Sequence, residues 1–197
     1  MTTTPTPSPL LESTGLPRFD AIRPEHVEPA VRSLLDTLRS TVERLQDDPA
    51  DPTWDNFVQP IEDGGERLGR AWGIASHMHS VMDTPEWREA YNAMLPEVTR
   101  FYAELGQNLK LFEKYKSIRN SAAFAELSPA RQRIIDNELR GFRLSGAELP
   151  DAQKPRFQAI QEEMAGLGAK FSENLLDATN AYAHVVTVES ELAGLPA

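Results

Sequence analysis

Four histidines are the side chains best suited to acid–base or metal chemistry in this chain: His26, His77, His79 and His184. A zinc hydrolase site on a helix takes two histidines four residues apart, with a glutamate after the first. His77 and His79 are two residues apart. On a helix they point about 200° from one another and cannot clamp one ion. His79 and Asp83 have the right separation, but no third ligand accompanies them. His26 falls in an opening helical turn, where local hydrogen bonding is the better use of an imidazole. No His-Glu pair occurs anywhere, and there is no cysteine. A thiolate metal site, a disulfide and a cysteine nucleophile are therefore excluded.

The remaining chemistry-bearing residues point the same way. Ser8, Ser76, Ser145 and Ser172 lack the strand–turn–helix setting of a nucleophile elbow. The acid pairs Glu162–Glu163 and Asp47–Asp48 read as solvated faces. Gly64, Gly65, Gly69 and Gly73 follow no strand, so they are not a phosphate loop; they predict a slim helix face that a neighbour can approach closely. Trp54, Trp72, Trp87, Phe101 and Phe171 sit on helical stripes and are expected in the core. The residues themselves thus assign no catalytic, cofactor-binding or metal position.

Charge and composition narrow the partners. The 197 residues carry a formal net charge of −10. Nucleic acid and anionic membrane surfaces repel such a chain, so neither is an expected partner. No apolar run approaches the ~20 residues of a membrane-spanning helix. The start, MTTTPTPSPLLESTG, has neither the basic opening nor the apolar core of a secretory signal. Residues 1–15 read as a flexible tail or extended arm, residues 16–197 as one helical domain, and the location as cytoplasmic.

Helices must position whatever the chain does. Pro24 opens the first, and Val27, Val31, Leu34, Leu38, Val42 and Leu45 follow at steps of three and four. Thr53 caps a segment beginning Trp54, Phe57 and Ile61, which Pro60 divides or kinks. Thr84-Pro85-Glu86 starts a helix carrying apolar residues to about Tyr115. Ser121–Leu127 is a short turn, and Ser128-Pro129 opens another helix.

The longest pattern runs from Asp151 to Tyr182. Phe157, Ile160, Met164, Leu167, Phe171, Leu175, Ala178 and Tyr182 form one stripe at helical steps. The other helices are expected to pack around it. Ala183–Val188 is β-branched and predicts one strand with no partner elsewhere, as if cut from something longer. The fold class is therefore all-α: an elongated antiparallel helical bundle around a long C-terminal helix (about 151–182), with one short β-strand.

Five stretches carry a resemblance: LPRFDAIRPEHVEPAV (Leu16–Val31), TWDNFVQPIED (Thr53–Asp63), DNELRGFRLSGAELP (Asp136–Pro150), FSENLLDAT (Phe171–Thr179) and ELAGLP (Glu191–Pro196). In order and approximate spacing they resemble the N-terminal region of the thimet oligopeptidase family of zinc metallopeptidases. The resemblance implies a nearly all-helical enzyme whose halves face each other across a deep channel holding zinc. It implies that this chain forms one wall of that channel, admits short unstructured peptides, and has a C-terminal catalytic half as its partner. The family's His-Glu-x-x-His motif lies far beyond the matched region. No zinc ligand or catalytic residue can be carried over, so the chain itself needs no cofactor; zinc belongs to the parent enzyme. The alternative is a free-standing helical module that binds other proteins and has no peptidase activity.

Overall fold

The structure, a computed structural model, describes residues 8–194. Six α-helices carry it: α1 (Val27–Gln46), α2 (Gln59–Met82), α3 (Pro85–Gly106), α4 (Leu109–Asn120), α5 (Pro129–Leu144) and α6 (Lys154–Ala181). Their starts obey local chemistry. Pro24 opens a 3₁₀ turn that leads into α1. Thr53 and Asn56 form a reciprocal capping box, with Asn56 N–H donating to Thr53 Oγ1 at 3.2 Å and Thr53 N–H to Asn56 Oδ1 at 2.7 Å. A π-helical turn, Trp54–Val58, comes next and passes into α2 just before Pro60. Thr84 and Ser128 cap α3 and α5, each with proline next.

The helix expected to run from Thr84 to Tyr115 is two helices. The chain breaks at Gln107–Asn108, and the Asn108 side chain accepts from Leu111 N–H to start α4. An apolar period bridges such a break because both helices face the same core. Gly146, at φ 84°, closes α5 in the left-handed conformation, and Ala147 N–H reaches back to Phe142 O at 2.9 Å.

The core lies among α1–α5. α1 and α2 pack along each other, α3 lies against both, and α4 packs with α5 and α1. Leu38, Leu45, Phe57, Leu68, Met94, Leu111, Phe112, Tyr115 and Ile135 are fully buried there. Trp54, Trp87 and Phe101 join them as expected. Each large apolar side chain taken out of water contributes roughly 1.5–3 kcal/mol before entropy is counted.

The long helix is not the centre of the fold. α6 exists close to its predicted bounds, but none of its residues is buried. Ile160, Met164, Leu167, Leu175 and Tyr182 stand in solvent, and Phe171, expected in the core, is 69% exposed. α6 packs chiefly along α3, with the end of α2 touching it through His79 and Glu173. Helical period identifies a face; it does not say what covers that face.

The predicted strand is also absent. Among the described residues there is no strand, and Ala183–Val188 is exposed, irregular chain. β-branched residues favour extension, but a strand needs a ladder partner. At the other end, residues 1–7 of the expected tail lie outside the described residues. The stretch from Ser8 to Gly15 is docked: Ser8 caps a 3₁₀ turn, Leu10 is buried, and Arg70 donates to the carbonyls of Glu12 and Gly15. Of the four α2 glycines expected to allow close approach, only Gly64 does so. A Cβ there would lie 2.7 Å from Leu38 Cδ1, while Gly65, Gly69 and Gly73 face open space.

Candidate functional site

The polar chemistry of the molecule concentrates on the seam between α3 and α6, with the end of α2 beside it. Arg88, Asn92, Pro96 and Arg100 recur every fourth residue along one face of α3. Opposite them, Glu162, Gly166, Ala169, Glu173 and Asp177 share one face of α6. A Cβ added at Gly166 would stand in open space, and the charged residues fasten the helices. They border an open groove of about 470 Å³.

Arg88 is the strongest fastener. Its Nε and Nη2 each donate to Asp83 at 2.7 Å, and its Nη1 donates to Asp177 at 3.0 Å. The guanidinium thereby holds both carboxyls below their usual range, and they raise its own pKa in turn. Asp83 ends α2 in the left-handed conformation, φ 48°, which aims its carboxylate at the next helix. Farther along, Arg100 reaches Glu162 at 3.2 Å. Gln158 and Arg100 both donate to Glu162 and lower its pKa.

His79 is the buried polar side chain of this region. Its ring stacks on Tyr91 at 4.4 Å, and Tyr91 stacks in turn on Trp72 at 4.6 Å. Its Nε2 lies 3.3 Å from Glu173 Oε1, which also accepts from Asn92 at 2.8 Å. The imidazole and the carboxylate are each occupied in joining helices.

The other candidate residues are scattered. His26 Nδ1 accepts from Arg23 N–H in the first turn, as local structure. His77 meets Phe19 edge-on at 5.6 Å. His184 lies in the exposed C-terminal segment. Ser172 donates to Gly168 O, and Ser80 donates to Ser76 O. Ser145 packs against Gly106, where a Cβ would come within 2.5 Å of Ser145 Cβ. Of the acids read as solvated, Asp47 is exposed and accepts from Lys110 at 2.6 Å, whereas Glu162 is half-buried and bridges α6 to α3.

The zinc that the family resemblance implies finds no fit in this chain. Among the described residues no three His, Cys, Asp or Glu side chains are grouped to hold a metal. His79 and Asp83, the best-spaced pair, point their polar atoms at Glu173 and Arg88. Arg88 is paired with Asp83 and Asp177, and Arg100 with Glu162, an arrangement that holds helices in place, while Lys170 borders the groove without an ion pair among the described residues.

One more buried polar feature escaped the sequence. Tyr115 is 1% exposed, packed edge-on to Phe57, and its hydroxyl has no hydrogen-bond partner among the described residues. Burial pushes its pKa well up, and the nearby carboxylates of Glu138 and Glu62 add to the shift. Both glutamates are themselves raised, chiefly by burial. A tyrosine at an apolar helical position gives no warning that its hydroxyl will be left unpaired.

Residues 31–154 match the family model for the neurolysin/thimet oligopeptidase N-terminal domain. The chain is 41% identical over 189 residues to oligopeptidase A of Haemophilus influenzae, covering 96% of this chain and 28% of that protein. It is 40% identical to oligopeptidase A of Escherichia coli, over 96% and 28%. It is 38% identical to a probable cytosolic oligopeptidase A of Arabidopsis thaliana, over 96% and 27%. The chain thus spans little more than a quarter of the length of these relatives. With a helical core where the family model matches and the same region shared with several oligopeptidases, the chain belongs to the neurolysin/thimet oligopeptidase family and carries its N-terminal domain.

Proposed function

We propose that this chain forms one wall of the substrate channel of a cytoplasmic zinc metallo-oligopeptidase and contributes no catalytic group to it. The observation that carries this reading is the lopsided coverage: 96% of this chain matches oligopeptidase A, yet only 28% of that protein is represented. The larger part, which would bring the zinc and the base, is the partner this domain serves. Short peptides are the substrates, since a wall facing a second wall admits an unfolded chain and turns away a folded one. The exposed, unpartnered run at Ala183–Val188 supports the reading, because a self-sufficient module would cover it with its own helices.

A quenched fluorescent oligopeptide tests the proposal. The purified chain alone is expected to give no turnover with added zinc. Grafted in place of the matching region of E. coli oligopeptidase A, it is expected to restore chelator-sensitive cleavage. Turnover by the chain alone, surviving purification and abolished by chelator, would overturn it. So would a graft that folds and binds metal yet leaves peptides intact.

A further inference from the structure

We infer that Glu62 and Glu138 form a proton-operated latch, which holds α5 toward the start of α2 in acid and loosens it as Glu138 ionises beside Glu62. The pair sits where α4 lies between those two elements. The Tyr115 ring of α4 packs on Phe57, just ahead of α2, at 5.2 Å and on Phe142 of α5 at 5.5 Å. Glu62 follows Phe57 by five residues, and Glu138 precedes Phe142 by four. Each carboxyl therefore stands roughly one helical turn from a ring that the tyrosine touches. All three positions fall inside the stretch that matches the family domain, residues 31–154. The latch is thus internal to that domain and independent of the peptidase reading.

Nothing at this junction offsets the two charges. Both glutamates are half-buried, and among the described residues neither makes an ion pair or a hydrogen bond. Cations on the same elements are turned to other groups. From α4, Lys114 donates to Asp48 O at 2.6 Å and Arg119 to Asp136 at 2.7 Å. From α5, Arg131 lies over the Trp54 ring at 4.8 Å and toward Asp55. The charges that bear on the pair are acidic: Asp63 beside Glu62, and Glu62 beside Glu138. The Tyr115 hydroxyl is buried among them and makes no hydrogen bond within the described residues, so it lends neither carboxylate a donor. Both carboxylates raise the pKa of that hydroxyl, which places the three groups in one neighbourhood.

Two like charges in a partly dry site do not form together freely. Glu62 ionises first, and Glu138 holds its proton longer because it must ionise beside that charge. If α5 opens, Glu138 returns to water and to the ordinary glutamate value of about 4.3. The closed state then binds the proton more tightly than the open one. Closure is fully favoured below the ordinary value, and the advantage is lost as pH climbs through the raised one. α5 is the element free to respond, since it packs mainly on α4 and only lightly on α3.

Two measurements on the full chain test the latch. Carboxyl ¹³C NMR reads the titration of each glutamate. Amide exchange of α5, corrected for the intrinsic rate and referenced to α1, reads the opening. The Glu138 carboxyl is expected to titrate above the exposed glutamates, and Glu62→Gln is expected to move it back toward them. Protection of α5 is expected to fall with rising pH, by up to about tenfold per pH unit while the closed state holds the extra proton. Glu138→Gln is expected to abolish that fall and leave α5 protected throughout. The wild-type titration and exchange need no substitution, so they decide the matter whatever the stability of the variants. A Glu138 carboxyl that titrates with the exposed glutamates, or one that Glu62→Gln leaves unmoved, would overturn the inference. So would α5 protection that is flat with pH in the wild type, or that falls equally in Glu138→Gln.

Discussion

Replacing Tyr115 by phenylalanine is expected to stabilise the protein, against the usual direction of core mutations. The ring is wedged between Phe57, at 5.2 Å, and Phe142, at 5.5 Å, and phenylalanine keeps both contacts. What disappears is a hydroxyl with no partner, in a side chain 1% exposed. Taking such a group out of water without a compensating bond costs roughly 1–3 kcal/mol. Removing it should recover about 1–2 kcal/mol, since some of that cost is relaxed by local adjustment. For a chain of this length each kcal/mol moves the melting temperature by about 2–4 °C. Tyr115→Phe should therefore melt ~2–8 °C higher, with a matching rise in urea midpoint and an unchanged slope. A loss of about 1 kcal/mol or more would refute the reasoning (a threshold set by the worth of one ordinary hydrogen bond). It would mean the hydroxyl donates to Glu62 or Glu138 in solution.

Those glutamates carry a second prediction. Burial, followed by their mutual repulsion in the case of Glu138, raises their carboxyl pKa values. The folded state then binds the proton more tightly than the unfolded one, so their contribution is favourable in acid and is lost as pH rises through the raised values. Glu138→Gln is expected to raise the urea midpoint at about pH 7 and to bring little gain near pH 4; equal gains at both would refute it. Gly106→Ala drives a Cβ against Ser145 Cβ and should cost about 1–3 kcal/mol in a melting curve. Gly69→Ala and Gly73→Ala, in open space within α2, should each gain up to about 1 kcal/mol. Arg88→Ala frees Asp83 and Asp177 together and should speed amide exchange in the second half of α6 without changing α1 or α2.

Local chemistry was legible at several helix starts, though not at α6, which begins after Gln153 rather than at an Asp151 cap. Thr53, Thr84 and Ser128 cap helices where the pattern put them, and Trp54, Trp87 and Phe101 are buried. Long-range arrangement was not. The stripe on α6 was the most regular signal in the chain, yet it faces solvent, because period cannot distinguish a neighbour present in the fold from one that is absent. The seam was written less visibly. Arg88, Asn92 and Arg100 recur at fours on α3, and Glu162, Glu173 and Asp177 share the polar face of α6. Two such faces predict an interface only once something says they meet. The break at Gln107–Asn108 was missed for a related reason: apolar residues continue at helical steps on both sides of it.

The uneven joint of α6 has a consequence for how the chain is made. Residues up to Ala147 supply the buried hydrophobic core around α1–α5, and no α6 residue belongs to it. A ribosome releases them first, so they can fold while Lys154–Ala181 is still in the exit tunnel. When α6 emerges it meets a finished platform and fastens by charge, with Arg88, Asn92 and Arg100 already aligned on α3 to receive it. Its oily side then stays exposed to solvent. Meanwhile an early platform shields the larger core, and the vulnerability of the nascent protein to clumping is confined to a single helix.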